Sequence, residues 1–176
     1  DAWERGQQGR SPQAEVLEPG FKYNLPDMNA ALGLSQFHRL DEFIDRRRDL
    51  ALRYRERLAS IPGLSPLGDA ETTGRHAWHL FIVRVDPETA GIDRADFMAA
   101  LKAKNIGSGI HFRAVHTQKW FVDHPDRWRG TDLANTEWNS DRICSLPLFP
   151  DMSDAGVDEV VAAIRDAVPS SPGVPA

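Results

Sequence analysis

The feature that most constrains this chain is an apolar period that begins at Met28. Apolar residues recur at Met28, Ala31, Leu32, Phe37, Leu40, Phe43, Ile44, Leu50, Ala51, Tyr54 and Leu58, the spacing of one helix face, until Pro62-Gly63 stops it. The pattern predicts a helix sustained to about residue 60, with Asn24 or Leu25 near its cap. Pro26 falls in the first turn and Asp27 at the positive end of the dipole. Downstream, "AWHLFIVRV" at 77–85 is β-branched and aromatic, and reads as a strand with Ala77, His79, Phe81 and Val83 on one face. Asp93 is a natural N-cap for a helix whose apolar face is Phe97, Met98 and Leu101, with Gly107 ending the turn before a short strand over 108–112. A strand, helix, strand unit results. Residues 131–143 suit another helix, "SLPLFP" an extended stretch, and Ser153 caps a last helix buried through Val157, Val160, Val161, Ile164 and Val168. Residues 1–20 read as irregular and 169–176 as a disordered tail. The order of elements is that of an α/β fold.

The 176 residues suffice to bury roughly two thirds of the unfolded surface, in one domain or two. A net charge of −5 gives no global positive field for nucleic acid or an anionic membrane surface. Arg39, Arg46, Arg47, Arg48, Arg53, Arg55 and Arg57 line the long helix, but Asp41, Glu42, Asp45, Asp49 and Glu56 are interleaved, so exposed i,i+4 pairing is expected in place of a phosphate-tracking stripe. The single cysteine, Cys144, cannot form an internal disulfide. It fits a reducing compartment such as the cytoplasm, and its apolar neighbours suggest packing over reactivity. No apolar run is long enough to span a bilayer, and residues 1–5 lack a signal-peptide layout. The chain opens as if in mid-protein and is expected to be a piece of a longer one. His76, His79, His111 and His116 lack the spacing of a metal site, so no metal is expected.

Two stretches carry chemistry. "GFKYNLPDMNAA" sets an ammonium, a phenol and a carboxamide at Lys22, Tyr23 and Asn24 ahead of the long helix, groups that suit a phosphate. The segment 110–118 gathers His111, Phe112, Arg113, His116, Thr117 and Gln118 in a connection that follows a strand. Such donors suit an anionic, hydroxyl-rich ligand, although capping of backbone groups would also occupy them.

Taken together, "GFKYNLPDMNAALGLSQ", "RRRDLALRYRERL", "HAWHLFIVRV", "NIGSGIHFRAVHTQKWF" and "NTEWNSDRICSLPLFPDMSDAGVDEVV" resemble the nucleotide-sugar aminotransferases of the DegT type, over about residues 1–168. The resemblance covers the C-terminal half of that family. It implies pyridoxal 5'-phosphate as cofactor and the C-terminal portion of the fold type I, aspartate-aminotransferase-like architecture. Residues 1–60 would end the large domain with an interface loop and linking helix, 61–168 would form the small α/β domain, and 169–176 the tail. The family's Schiff-base lysine corresponds to none of Lys22, Lys102, Lys104 and Lys119, so this piece alone is expected to be inactive.

The resemblance further implies a homodimer with composite sites, in which Lys22, Tyr23 and Asn24 reach the neighbouring subunit's cofactor phosphate. Most relatives have Asn, Tyr and Arg at these positions, and the departure matches the branch acting on UDP-4-keto-pentoses. His111, Phe112, Arg113, His116 and Gln118 fall on the loop closing over the nucleotide sugar or amino donor. The implied reaction moves an amino group from glutamate, leaving 2-oxoglutarate, to give UDP-4-amino-4-deoxy-L-arabinose for lipid A modification. Trp78, Trp138 and Phe149 are read as core. The alternative is a non-catalytic ligand-binding or dimerisation module.

Overall fold

The computed structural model describes residues 23–67, 74–128 and 132–168. Lys22, the segment 1–20 and the tail 169–176 lie outside the described residues. The chain divides between His38 and Arg39 into two units.

In the first unit an extended entry at Tyr23 leads to helix α1 (Asp27–Phe37), whose N-cap is Pro26 and whose first turn carries Asp27. No side chain caps α1, and none of its residues is buried. The single long helix expected from the apolar period is interrupted by a turn at His38 and Arg39. Five residues separate Leu32 from Phe37, a rotation of about 140° on a helix, so the early stripe does not run into the later one.

In the second unit, α2 (Leu40–Leu58) buries Leu50, Ala51, Tyr54 and Leu58. They face the last helix, α7 (Asp154–Ala167), which buries Val157, Val160, Val161, Ala163 and Ile164 and is capped as expected, Ser153 Oγ accepting from the Gly156 N–H at 3.0 Å. The arginines of α2 do not chiefly pair along their own helix. Arg46 reaches Asp154 at 2.9 Å, Arg53 reaches Asp158 at 2.5 Å and Arg57 reaches the same carboxylate at 3.3 Å, linking α2 to α7. The Arg53 hydrogen bond, with the charges of Arg53 and Arg57, holds Asp158 below the usual carboxylate range. Arg75 similarly bonds Asp41 and Asp45. The expected i,i+4 pattern thus gives way to tertiary pairing, because α7 presents its acids to α2.

Strands β1 (Leu64–Pro66), β2 (Phe81–Val85) and β3 (Ile143–Leu146) form one antiparallel sheet in that order. Phe81, Val83 and Val85 alternate inward on β2, and Cys144 and Leu146 of β3 lie opposite Val83 and Phe81. Pro66 is tolerated because β1 is an edge strand. Strand β2 starts four residues later than the composition suggests. Trp78 has φ +47°, outside any strand conformation, and donates its N–H to His76 Nδ1 at 2.9 Å, so the backbone turns there.

Between β2 and β3 lie the single turn α3 (Pro87–Ala90), α4 (Arg94–Ala103), α5 (Lys119–Asp123) and α6 (Ala134–Ser140). Asp93 caps α4 by accepting the Asp96 N–H at 2.9 Å, and Phe97 and Leu101 are buried. The left-handed residue after α4 is Asn105, at φ +62°, and not Gly107, with the Ile106 N–H returning to the Leu101 carbonyl at 2.9 Å. Helix α6 is shorter than the helix expected over 131–143, because β3 claims Ile143.

Tyr54 joins the layers: its ring stacks on Phe81 at 4.8 Å and its hydroxyl donates to the Pro147 carbonyl at 3.0 Å. Burial pushes its pKa well above the ordinary phenol value. Cys144 lies in the same core, and burial raises its thiol to about 11, a packing role rather than a thiolate's. Trp78 packs partly on this core, but Trp138 and Phe149 do not belong to it, being 42% and 51% exposed. Trp138 instead lies between the guanidiniums of Arg84 and Arg142, at 4.8 and 4.7 Å. Among the described residues no helix is long and apolar enough to cross a membrane.

Candidate active-site loop

The short strand expected over 108–112 is reduced in the structure to one bridge. Gly109 and Ser145 exchange both backbone hydrogen bonds, at 3.1 and 2.9 Å, and the pairing stops there. The next backbone donors are taken by side chains and turns. Ala114 donates its N–H to Ser140 Oγ at 3.0 Å, and Thr117 closes a turn onto the Ala114 carbonyl with its N–H and its hydroxyl. Ala114 is buried beneath this knot.

The two histidines face inward. His111 Nε2 lies 2.7 Å from Ser145 Oγ, and His116 Nε2 lies 2.8 Å from Glu137 Oε1, with the Trp128 ring 6.0 Å away. Phe112, between these anchors, is 96% exposed. Arg113 is also exposed, and its guanidinium bonds no described residue. Gln118 is exposed at the N-cap of α5 without a side-chain cap bond. The loop is therefore fixed from one side by Ser145, Ser140 and Glu137, and offers an aromatic ring and a cation on the other. Such a pair can cover an apolar surface and grip a carboxylate or phosphate in a forked geometry.

Of the remaining nominated residues, Tyr23 and Asn24 are exposed in the first unit, and Lys22 lies outside the described residues. Asn24 does not cap α1. The described lysines are all exposed, Lys104 paired with Asp166 at 2.9 Å and Lys119 with Asp123 at 2.7 Å. Among the described residues no three His, Cys, Asp or Glu side chains converge on a metal position. Sequence reasoning missed Ser145, Ser140 and Glu137. A lone hydroxyl inside the apolar run "ICSLPLF" was the available signal, since a buried hydroxyl needs a partner. Ser145 also borders an open groove of 740 Å³ walled by Leu146, Phe149, Met152 and Val160.

The model of the DegT/DnrJ/EryC1/StrS aminotransferase family matches residues 4–165. Among solved structures the chain is similar to DesV of S. venezuelae, at 26% identity and a TM-score of 0.76, over 92% of this chain and 42% of that one. It is similar to DesI, solved in the presence of its TDP-sugar product, at 29% identity and a TM-score of 0.71, over 80% and 35% of the two chains. Spr1654 of Streptococcus pneumoniae, in its PMP form, matches at 25% identity and a TM-score of 0.74, over 96% and 41%. The α/β architecture is thus that of these aminotransferases, and the chain spans about two fifths of the length of the solved proteins it matches.

Proposed function

This chain belongs to the DegT/DnrJ/EryC1/StrS aminotransferase family, and from that premise we propose that it is the C-terminal part of a pyridoxal-phosphate-dependent nucleotide-sugar aminotransferase. In this reading the unit through residue 38 is part of the large domain and the unit from residue 39, with the linking helix α2 packed in its core, is the small one. The protein transfers the amino group of glutamate to the keto carbon of a UDP-4-keto-pentose. Glutamate leaves as 2-oxoglutarate and the sugar as UDP-4-amino-4-deoxy-L-arabinose, the amino sugar of lipid A modification. The observation that carries this reading is the anchored loop 109–118, on which the exposed Arg113 bonds no described residue.

The donor set suits the cofactor. A phenol and a carboxamide in an exposed entry segment, Tyr23 and Asn24, are phosphate-binding groups, and no side chain, that of Asn24 included, caps α1. With Lys22 they would hold the cofactor phosphate of a second copy of the protein in a homodimer. Pyridoxal phosphate, when bound, supplies the electron sink that makes the amino group transferable. The residues of this chain bind and orient. Arg113 pairs with the carboxylate of glutamate or the diphosphate of the sugar nucleotide, Phe112 excludes water over the site, His111 meets sugar oxygens, and His116 and Gln118 complete the rim.

The test is an assay of the full-length protein with glutamate and UDP-4-keto-pentose, following 2-oxoglutarate and the amino sugar by mass spectrometry. Formation of both in equal amounts is expected. Amino transfer to other nucleotide sugars with none to this one would overturn the pentose assignment, and no transfer to any keto sugar would overturn the activity.

A further inference from the structure

Ser145 is the only buried polar residue among the described residues. On β3 it pairs with Ile82, so it lies on the face of the sheet turned away from the Phe81 and Val83 core. It is buried because the loop covers it. Gly109, directly across from it, has no side chain to take up its hydroxyl. His111, two residues further and on the same side of an extended segment, takes it up instead.

The hydroxyl has one side-chain partner, His111 Nε2 at 2.7 Å. The direction of the bond follows from the partners that the described residues offer. If Nε2–H donated to Oγ, the hydroxyl proton would find no acceptor among the described residues, whereas an Oγ–H donating to a bare Nε2 satisfies both atoms within the protein. The second arrangement requires a neutral ring that carries its proton on Nδ1, and Nδ1 bonds no described residue.

We propose that Ser145 is a positioning residue: its hydroxyl holds His111 in the tautomer protonated at Nδ1, and so presents that N–H to an oxygen of the sugar substrate. Its relevance to turnover rests on the placement of loop 109–118 at the substrate, proposed above; the Ser145 to His111 coupling does not. The backbone bridge at Gly109 and the side-chain bond at His111 come from the same residue, so Ser145 sets both the height of the loop and the ring at its base.

The experiment uses the full-length protein with ¹⁵N-labelled histidine, in which the two imidazole tautomers give distinct nitrogen shifts. The Nδ1–H form of His111 should dominate in the wild type and in Ser145→Thr, and lose its dominance in Ser145→Ala. Ser145→Ala should lower kcat/KM for the keto sugar about tenfold, the size of one directed hydrogen bond. It should have no further effect when His111 is already Ala, because both changes remove the same contact. An unchanged tautomer balance in Ser145→Ala overturns the proposal whatever the kinetics, as do effects of the two substitutions that multiply independently. A tautomer shifted in Ser145→Ala, together with wild-type kinetics in His111→Ala, removes the loop from the substrate. That outcome is a failure of the functional reading, recognisable as such, and it takes the positioning role with it.

Discussion

Arg113 is surrounded by residues whose polar groups are engaged, yet its own guanidinium is exposed and meets no described residue. A side chain so placed adds little to folding, since exposed positions away from special geometry change stability by no more than about 0.5 kcal/mol. A charge-assisted bond to a ligand is larger, and its loss lowers kcat/KM by about 10- to 100-fold. Arg113→Ala in the full-length protein should therefore leave the melting temperature near that of the wild type while turnover falls by that factor. Unaltered kinetic constants would take Arg113 out of the site, and a large drop in melting temperature would make it structural. At this scale the sequence made one side of each contact visible. His111, Arg113 and His116 stand out as polar types clustered after a strand, but Ser145 is 34 positions from His111 and Glu137 is 21 from His116. Pairings over such distances are made by the sheet register and the packing of α6, which no local pattern encodes.

The turn between α2 and β1 shows what an element boundary demands. Gly63 has φ +71°, and a Cβ built there would lie 2.2 Å from the Ala90 backbone nitrogen in α3, where only a bare backbone fits. The Gly63 carbonyl also accepts the Asp86 N–H at 2.8 Å, which ties the start of β1 to the end of β2. Gly63→Ala should cost at least about 2 kcal/mol, from left-handed strain together with displacement of α3. Chemical denaturation of the protein checks it, and a loss below about 0.5 kcal/mol would mean that the turn can open without consequence. Pro62-Gly63 was legible as a stop signal, though the approach of α3 was not. The helices with capping side chains, α4 and α7, were likewise legible, because a cap and an apolar stripe are both local. The break at His38 and the late start of β2 were not. Each depends on a backbone conformation, at Arg39 and at Trp78, that residue type alone would not select.

For the whole molecule, the proposed role of Lys22, Tyr23 and Asn24 in a neighbouring subunit's site has a consequence that depends on subunit arithmetic rather than on geometry. Consider a subunit carrying Lys22→Ala, Tyr23→Phe and Asn24→Ala, and another in which the lysine that anchors the cofactor is replaced. Each is expected to be inactive as a homodimer. In the mixed dimer, one site joins the intact lysine of the first subunit to the intact entry segment of the second, and the other site carries both defects, so at most about half of a normal dimer's activity returns. If the segment served its own subunit, each site of the mixed dimer would carry one defect and nothing would return. The measurement is the rate of amino transfer after subunit exchange, with exchange verified by mass spectrometry of differently tagged chains. Recovery supports composite sites. Its absence would assign the segment to its own subunit or to the entry of α1. The second assignment already has one fact against it: α1 begins at Asp27, with Pro26 at its N-cap and no capping side chain, so Asn24 does not cap it.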